Sequence, residues 1–322
     1  MAYVPPYSID AQTLEKLKKI IRLIGQIEGY QLLAGNLVLR RKNKIKSLHS
    51  SLAIEGNRLT QEQVTDIING QRVLAAPKDI LEVKNAIRVY DSLSDIDPNS
   101  EDQLLKIHGL LMDGLIADAG KYRNTGVGVF DGGKVVHMAP PAKRVPLLMM
   151  DLFDYLANHK EDIIIKSCVF HYEFEFIHPF SDGNGRMGRL WQTAILKSEY
   201  PDLVALPIER IVHERQQEYY DALADSQRAG NSNPFISYSL STIHDALQRE
   251  LSHNTQLTQD FRDRLEAWKI RIDRADFTRK EYMAFHKSIS PATATRDLTQ
   301  GVENGFLERS GTMRTTRYSF KS

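Results

Sequence analysis

Residues 178–189 read HPFSDGNGRMGR, and this stretch places one histidine, one carboxylate and two arginines around three glycines. The apolar residues of the preceding run, 164–176, are three and four positions apart, which is typical of a helix. Pro179 disfavours the helical conformation at His178, so this helix is expected to end there. A second helix is expected to begin near Gly185. The stretch therefore predicts a helix–loop–helix unit.

The start of the second helix predicts an anion-binding site. Unpaired N–H groups at a helix N-terminus hold phosphate, and the helix dipole helps them. Gly183 and Gly185 let the backbone approach a ligand closely, and the amide of Asn184 can donate to a phosphate oxygen. Arg186 and Arg189 are three residues apart and share a helix face. Each guanidinium offers bidentate donation to a phosphate.

The two remaining polar groups of the stretch indicate what is done to the phosphate. Asp182 supplies one hard carboxylate, and Mg²⁺ is usually held by one or two carboxylates together with substrate phosphates. His178 is the group that can take up a proton near neutral pH. A histidine base beside a magnesium nucleotide implies an incoming hydroxyl that attacks a phosphorus atom.

Dinucleotide binding is the first alternative, because Gly183, Gly185 and Gly188 spell G-x-G-x-x-G. That pattern requires a strand before it and a helix after it. The run before it has helical spacing, and no alternation of strands and helices surrounds it. The sequence therefore disfavours a dinucleotide-binding fold.

A zinc site is the second alternative. His171, Glu175 and His178 are four and then three residues apart, so one helix face could present all three. Pro179 is expected to end the helix at His178, which removes that residue from the face. We therefore expect His171 and Glu175 to form a structural pair that supports the loop.

Composition limits the class of protein. The 322 residues include 42 basic and 41 acidic side chains, and this balance gives no sign of bulk nucleic-acid binding. The single cysteine, Cys168, excludes an internal disulfide bond and fits a reducing compartment. The first ten residues lack a signal-peptide pattern, and no apolar run approaches the roughly 20 residues that span a bilayer. We expect a cytoplasmic protein with no membrane segment.

Helical periodicity dominates the chain outside the motif. Asp10 and Ser100 are expected to cap two amphipathic helices, Pro77 lies near the start of a third, and Gly56 ends a fourth. One stretch differs, because residues 125–141, TGVGVFDGGKVVHMAPP, contain two short β-prone runs that flank DGG. This pattern predicts a β-hairpin.

The pattern of predicted secondary structure changes near residue 270. Residues 277–320 are expected to form a helix, a turn, a second helix and a small hairpin around Gly311. Ser290 and Pro291 suit the N-cap and first position of the second helix. We place a domain boundary near 255–272.

The stretch HPFSDGNGRMGR matches, position for position, the signature of the Fic family. The segments EVKNAIRVYDSL, GKYRNTGVGV, APPAKRVPLLMMDL and EYYDALADSQ also resemble the flanks of that family and extend the resemblance over roughly residues 80–245. The resemblance implies a mainly α fold, namely a Fic-type helical bundle with a small β-hairpin flap. A C-terminal winged helix-turn-helix domain is expected to follow.

The resemblance implies four units along the chain. An N-terminal helical domain with an inhibitory helix would span residues 1–80, and the catalytic domain residues 81–250. A linker helix would span residues 251–271, and the winged-helix domain residues 272–322.

The resemblance also implies an activity, the transfer of AMP from ATP to a Tyr, Thr or Ser hydroxyl of a protein with release of pyrophosphate. His178 would be the base, and Asp182 would hold Mg²⁺. Arg186 and Arg189 would hold the β- and γ-phosphates, and Tyr220 would line the adenine pocket. The implied ATP-binding residues are Gly183, Asn184, Gly185, Arg186, Met187, Gly188, Arg189 and Tyr220.

The predicted hairpin resembles the flap on which a target segment of that family adds as an extra strand. The implied docking residues are Val135, Val136, His137 and Met138. A plain connector is the alternative interpretation of this hairpin.

A second motif, SLAIEGN at residues 51–57, resembles the inhibitory helix of the family in its Ser51, Glu55 and Gly56. Glu55 falls in the last turn of an amphipathic helix, where an acid opposes the helix dipole. The resemblance implies that Glu55 pairs with Arg189 and occupies the space of the γ-phosphate, so the enzyme restrains itself. A solvated surface glutamate is the alternative, and removal of AMP with help from Glu55 stays open.

The sequence of the C-terminal unit is compatible with DNA binding and with a structural or protein-docking role. Arg314 and Arg317 on the expected wing could meet DNA phosphates. Asp297 and Glu303 make the second helix less basic than that of a strong DNA reader, which favours a structural or protein-docking role. Alternatives for the whole chain are the transfer of another nucleotide or phosphate group and a DNA-binding regulator with weak catalysis. Self-association as a homodimer also stays open.

Overall fold

The computed structural model describes residues 4–29, 37–131, 134–257, 261–272, 276–286, 289–312 and 315–321. These residues form fourteen α-helices and two separate two-stranded antiparallel sheets. The mainly helical fold class predicted from the sequence is therefore confirmed. Among the described helices, none is both long and apolar enough to cross a membrane.

Eleven helices and the first hairpin come before residue 258. The helices are α1 (Ala11–Gly29), α2 (Leu37–Ile54), α3 (Gln61–Ile68), α4 (Pro77–Ser92), α5 (Glu101–Leu111), α6 (Val145–Asn158), α7 (Ile163–Ile177), α8 (Asn184–Glu199), α9 (Ile208–Glu214), α10 (Gln216–Ala229) and α11 (Asn233–Leu257). Short 3₁₀ turns lie at Leu93–Asp95, Ala142–Arg144 and Pro201–Ala205. The hairpin strands are β1 (Gly128–Asp131) and β2 (Lys134–Met138). The remaining elements are α12 (Phe261–Arg271), α13 (Arg279–Phe285), α14 (Pro291–Glu303), β3 (Leu307–Ser310) and β4 (Arg317–Phe320).

Helix ends follow local capping chemistry. The Asp10 carboxylate accepts the Thr13 N–H at 2.7 Å, and the Ser100 hydroxyl accepts the Gln103 N–H at 3.2 Å, as predicted. Gly56 has φ +87°, the left-handed conformation that ends a helix. Helix α3, for which the sequence analysis made no prediction, begins with a capping box in which Thr60 and Gln63 bond each other's backbone N–H.

Helices α7 and α8 form the centre of the larger hydrophobic core. Helix α7 is buried on nearly every side, and Phe170 and Phe174 are fully inaccessible to water. Burial of each such side chain contributes about 1.5–3 kcal/mol to folding. Gly188 lets the two helices approach, because a Cβ there would lie 2.5 Å from Glu175 Oε1. The pair carries the loop 178–183 between its two ends.

Helix α2 is held against α4 and α9 partly by buried polar groups. The Asn43 amide donates to the Ala205 carbonyl at 3.1 Å. The Ser47 and Tyr90 hydroxyls donate to the two carboxylate oxygens of Glu209 at 2.7 and 3.1 Å. Burial raises the pKa of Glu209. These bonds and the apolar face of α2 fix the position of its C-terminal end.

The hairpin of β1 and β2 is antiparallel, as the sequence predicts. Gly128 pairs with Met138 and Asp131 with Lys134, and the register shifts between Val129 and Phe130. Gly132 and Gly133, the glycines of the predicted DGG turn, lie outside the described residues. Within the described chain this sheet has two strands, so each strand has an outer edge that no other strand covers.

A second hydrophobic core gathers the elements after residue 260. Its buried members are Leu265, Trp268, Phe277, Tyr282, Ala294, Leu298 and Leu307. The order α13, α14, β3 and β4 follows the predicted helix, helix and hairpin, while the name winged helix stays a prediction. The linker helix predicted at 251–271 falls on the end of α11 and on α12, and Leu265 and Trp268 of α12 belong to the second core. The domain boundaries stay a prediction.

Asp297 corrects one expectation about α14. The sequence analysis counts it among the acids that would face a nucleic acid, but it is fully buried. Its carboxylate accepts two bonds of 2.6 Å from Arg264 and one of 3.2 Å from the Tyr282 hydroxyl. Arg317 of the expected wing pairs with Asp276 at 2.6 Å, and Arg314 lies outside the described residues.

Candidate functional site

The site lies where the end of α7, the start of α8 and the end of α2 meet. His178 is the C-cap of α7 with φ 50° and ψ 61°, the left-handed region. Within the described chain it is the one residue other than glycine with positive φ. This conformation costs an L-residue free energy and persists only where the surroundings impose it. The strain therefore marks a position that the fold holds in place.

Two side chains hold the loop that follows His178. The Asn184 amide donates to the Phe180 carbonyl and accepts the Phe180 N–H, both at 2.9 Å. The Phe180 ring stacks on the imidazole of His108 with centroids 3.6 Å apart and planes 4° apart. The Asn184 side chain is buried, and its amide closes the loop. The predicted contact of Asn184 with ATP stays a prediction.

His108 fixes the backbone of Asp182. Its Nδ1 accepts the Gly120 N–H at 2.9 Å, so the proton of the neutral ring resides on Nε2. Nε2 lies 2.9 Å from the Asp182 carbonyl and donates to it. Burial lowers the pKa of His108 to about 4, which keeps the ring neutral near pH 7. The sequence analysis missed this residue; its signal was a histidine on the buried face of α5, in line with Leu104 and Leu111.

The Asp182 carboxylate suits a metal ligand. Its side chain is half exposed. Oδ1 accepts the Gly183 N–H at 2.6 Å and lies 3.3 Å from Arg186 Nη2, while Oδ2 has no partner among the described residues. One accessible carboxylate beside an anion-binding helix end is the protein's usual share of a Mg²⁺ site, so the residues present fit that ion. Gly183 has φ +84°, and a Cβ there would lie 2.7 Å from Met112 Sδ.

Arg186 and Arg189 are both almost fully buried at the first turns of α8. Arg186 lies 3.4 Å from the carboxylate of Glu82 on α4. Arg189 Nη2 donates to the Ser51 carbonyl at 3.0 Å. Arg186 Nε and Arg189 Nη1 have no hydrogen-bond partner among the described residues. Buried donors without partners are rare, and here they offer hydrogen bonds to an anionic ligand.

Glu55 reaches the same helix end from α2. Its Oε1 lies 2.8 Å from Arg189 Nη2, and the Ser51 hydroxyl lies 3.3 Å from Arg189 Nε. Glu55 directly follows the last residue of α2, in the turn that Gly56 completes. A Cβ on Gly185 would collide with Glu55 Oε1, so the absent side chain makes room for the carboxylate. An acid thus lies beside the helix N-terminus and a buried arginine, where a phosphate is also expected to bind.

His171 and Glu175 lie behind Arg189. His171 Nδ1 lies 2.8 Å from Gln192 Oε1, and Nε2 lies 3.2 Å from the Tyr219 hydroxyl and 3.8 Å from Glu175 Oε1. Burial lowers the pKa of His171 to about 3 and raises that of Glu175 to about 8. Near pH 7 both are therefore uncharged, and the predicted pair is a neutral contact.

The two tyrosines of α10 have different surroundings. Tyr219 is buried, whereas Tyr220 is 44 % exposed. Gln216 Nε2 donates to the Tyr220 hydroxyl at 3.2 Å and to the Ile54 carbonyl at 3.0 Å. Gln216 thereby joins the predicted adenine contact to the end of α2.

The other predicted residues are placed as follows. Met187 is fully buried in the larger core, and Gly188 packs against α7. Their predicted roles in ATP binding stay predictions. The predicted docking residues Val135, Val136, His137 and Met138 all lie on β2.

Arg123, Glu82 and Gln216 are further residues that the sequence analysis missed. Each has at least one partner far away in the chain: Arg186 is 104 positions after Glu82, Ile54 is 162 positions before Gln216, and His178 is 55 positions after Arg123. No local spacing signals such a partner.

Known proteins similar to this chain include members of the Fic/DOC family and proteins named protein adenylyltransferase. A profile of the Fic/DOC family matches residues 95–196. The chain is 29% identical over 247 residues to a protein of Nematostella vectensis named protein adenylyltransferase Fic, which covers 71% of this chain and 53% of that protein. It is 30% identical over 170 residues to a probable protein adenylyltransferase of Aquifex aeolicus, covering 52% of this chain and 48% of the other. The chain thus spans about half the length of these curated relatives.

A solved structure matches along almost the whole chain. The crystal structure of a Fic family protein from Desulfovibrio desulfuricans G20 is 40% identical in sequence, and the alignment covers 99% of both chains with a TM-score of 0.76. The likeness therefore includes the elements on both sides of the 95–196 match.

Proposed function

Because the chain belongs to the Fic family, we propose that it transfers AMP from ATP to a hydroxyl side chain of a protein and releases pyrophosphate. The observation that carries the proposal is the pair of buried arginines at the start of α8, each of which has a nitrogen without a hydrogen-bond partner among the described residues. The names of the curated relatives support the same reaction.

The reaction assigns each group a task. The target hydroxyl oxygen attacks the α-phosphorus of ATP, and the bond from that phosphorus to the bridging oxygen breaks. His178 takes the hydroxyl proton, and the electron pair leaves with pyrophosphate. The N–H groups at the start of α8 and the guanidiniums of Arg186 and Arg189 bind and orient the phosphates. Asp182 would hold Mg²⁺, which supplies positive charge to the phosphates of bound ATP.

The hairpin is proposed to align the protein target. Both strands have uncovered outer edges within the described chain, and an extended segment can add to such an edge through backbone hydrogen bonds. The Ala139 N–H donates to the Val127 carbonyl at 3.3 Å, which continues the pairing toward the catalytic loop. This arrangement would bring a hydroxyl of the bound segment to His178.

Glu55 is proposed to restrain the enzyme. One arginine cannot serve a carboxylate and a phosphate in the same geometry, and Arg189 Nη2 lies 2.8 Å from Glu55. ATP would therefore bind weakly or with its phosphates misplaced until the carboxylate leaves. We expect the isolated wild-type chain to transfer AMP slowly. We also propose that Glu55 can help to remove AMP from a modified protein.

Label transfer from ATP with a radioactive α-phosphate tests the reaction and the restraint together. Wild type, Glu55→Gly and Glu55→Gly with His178→Ala are compared, each alone and with cell lysate. We expect protein labelling to rise roughly tenfold in the single variant, equivalent to about 1.4 kcal/mol. In the double variant we expect protein labelling to be at least about 100-fold lower than in Glu55→Gly, because the general base is lost.

Other outcomes would contradict the proposal in different ways. Equal labelling by wild type and Glu55→Gly would remove the restraint but keep the reaction. Transfer of label from the γ-phosphate without transfer from the α-phosphate would indicate phosphoryl transfer instead. No transfer of either label would reject catalysis.

A further inference from the structure

Arg123 precedes the hairpin and is 3% exposed. Its Nε donates to the His178 carbonyl at 2.7 Å, and Nη2 donates to the Ile177 carbonyl at 3.2 Å. Its backbone N–H donates to the Pro179 carbonyl at 2.9 Å. One residue therefore contacts three successive carbonyls around the strained C-cap of α7.

The same guanidinium binds both ends of the hairpin. Nη1 donates to the Thr125 carbonyl at 2.9 Å, before β1, and Nη2 donates to the Pro140 carbonyl at 2.6 Å, after β2. Arg123 thus connects the base of the hairpin to the backbone of His178 through a single planar group. A planar fork with fixed donor directions sets relative position more strictly than a flexible ammonium would.

No carboxylate lies within salt-bridge distance of Arg123 among the described residues. Burial alone lowers the pKa of this arginine. A buried cation without a counter-ion is costly and is retained only where its hydrogen bonds are needed. Within the described structure, every hydrogen bond of this guanidinium goes to a backbone carbonyl at the end of α7, in the catalytic loop or at the hairpin base.

We propose that Arg123 is a positioning residue that holds the hairpin and His178 in register, so that a hydroxyl docked on the hairpin meets the imidazole. This inference rests on the proposed AMP transfer. The anion-binding loop has its own supports, the Asn184 amide and His108, and neither contacts Arg123 in the described structure. Arg123 should therefore govern the rate of transfer and leave ATP binding unchanged.

The test uses the full chain with Glu55→Gly as the parent. Arg123→Lys and Arg123→Gln are each added, and binding of a fluorescent non-hydrolysable ATP analogue gives both its Kd and the fraction of chains that bind. Automodification at saturating ATP is then expressed per analogue-binding chain, so unfolded protein does not count. We expect Kd within twofold of the parent and a rate per binding chain that falls roughly 10–100-fold, since a misplacement of about 1 Å can cost that much.

Arg264→Lys in the same parent is the matched control. Arg264 is also a buried arginine with a bidentate contact, but it belongs to the second core, so the rate per binding chain should match the parent. If Arg123 only stabilised the fold, its substitution would lower the fraction of chains that bind the analogue and leave the rate per binding chain unchanged. That result would overturn the inference. A parent that transfers no α-label would instead reject the proposed function, and the inference with it.

Discussion

At the scale of single residues, Arg186 and Arg189 illustrate how buried charge is distributed. Their spacing of three places both on one side of α8, yet the two guanidiniums contact different partners. Arg186 lies between Glu82 and Asp182, while Arg189 lies against Ser51 and Glu55. The carboxylates offset the cost of burying each cation, and one nitrogen of each guanidinium has no hydrogen-bond partner among the described residues.

His108 should affect the metal more than the nucleotide. In His108→Phe the aromatic stack on Phe180 can remain, but the bond to the Asp182 carbonyl and the bond from the Gly120 N–H are both lost. Loss of such an outer contact to a metal ligand typically costs 10–100-fold in metal affinity. We therefore expect the Mg²⁺ concentration for half-maximal automodification to rise by roughly tenfold in the Glu55→Gly parent, measured by Mg²⁺ titration at saturating ATP.

His286→Phe is the control for that titration. His286 is a partly buried histidine whose Nε2, like that of His108, lies near a backbone carbonyl, here that of Arg264 at 3.0 Å, and burial lowers its pKa to about 4. It belongs to the second core and should leave the Mg²⁺ dependence unchanged. Equal Mg²⁺ curves for His108→Phe and the parent would reject the role of His108.

At the level of elements, the end of α2 contacts the start of α8. Helix α2 ends at Ile54 and the next residue places its carboxylate beside the first turn of α8. Gln216 of α10 bonds the Ile54 carbonyl as well. The capping glycine Gly56 could be recognised from the sequence because helix ends depend on local chemistry. The identity of the helix end that α2 meets could not, because it depends on how distant elements pack.

Gly185→Ala tests whether the Glu55 carboxylate and a phosphate share one space. The new Cβ would collide with Glu55 Oε1 and would approach Arg189 Nη1 at 3.0 Å. We expect Gly185→Ala to reduce ATP-analogue binding by at least roughly tenfold, even when Glu55→Gly is also present. Fluorescence titration of the analogue measures this directly.

Gly25→Ala is the matched control, since a Cβ on Gly25 meets nothing within 4 Å. It should leave the analogue Kd unchanged and stabilise α1 slightly, by about 0.5–1 kcal/mol. If Glu55→Gly with Gly185→Ala binds the analogue as tightly as Glu55→Gly alone, carboxylate and phosphate do not share that space.

At the level of the whole molecule, ion pairs join α2 of the larger core to α12 of the second core. Lys42 of α2 lies 2.7 Å from Asp263 and 3.5 Å from Glu266 of α12. These charges are partly exposed, and such pairs contribute about 0–1 kcal/mol to stability. The second core is therefore held together mainly by its own apolar residues and by the buried contact of Arg264 with Asp297.

Asp297→Ala should destabilise the second core selectively. It leaves the Arg264 guanidinium buried without its partner, a change that typically costs about 3–5 kcal/mol. We expect calorimetry to show a transition at lower temperature for this core, while ATP-analogue binding by the larger core keeps its Kd. A single shared transition that moves together with the loss of analogue binding would show that the two cores unfold as one unit.

Features that depend on near neighbours in the chain could be predicted from the residues alone. Helix ends at Asp10, Gly56, Ser100 and His178 follow from capping and from Pro179, and the prediction of an anion site follows from the spacing of the glycines and arginines. Such chemistry acts within about four residues, so spacing along the chain reveals it.

The packing of distant elements selects the side chains that hold the loop 178–183. Glu55 and Arg189 are 134 residues apart, and His108 and Asp182 are 74 apart. Arg123 contacts Ile177 and His178 from 54 and 55 residues away. These pairs form because burial excludes water and leaves each polar group to find a partner among whatever packing brings near it. The partners of these polar groups are therefore set by the packing of the core and not by spacing along the chain.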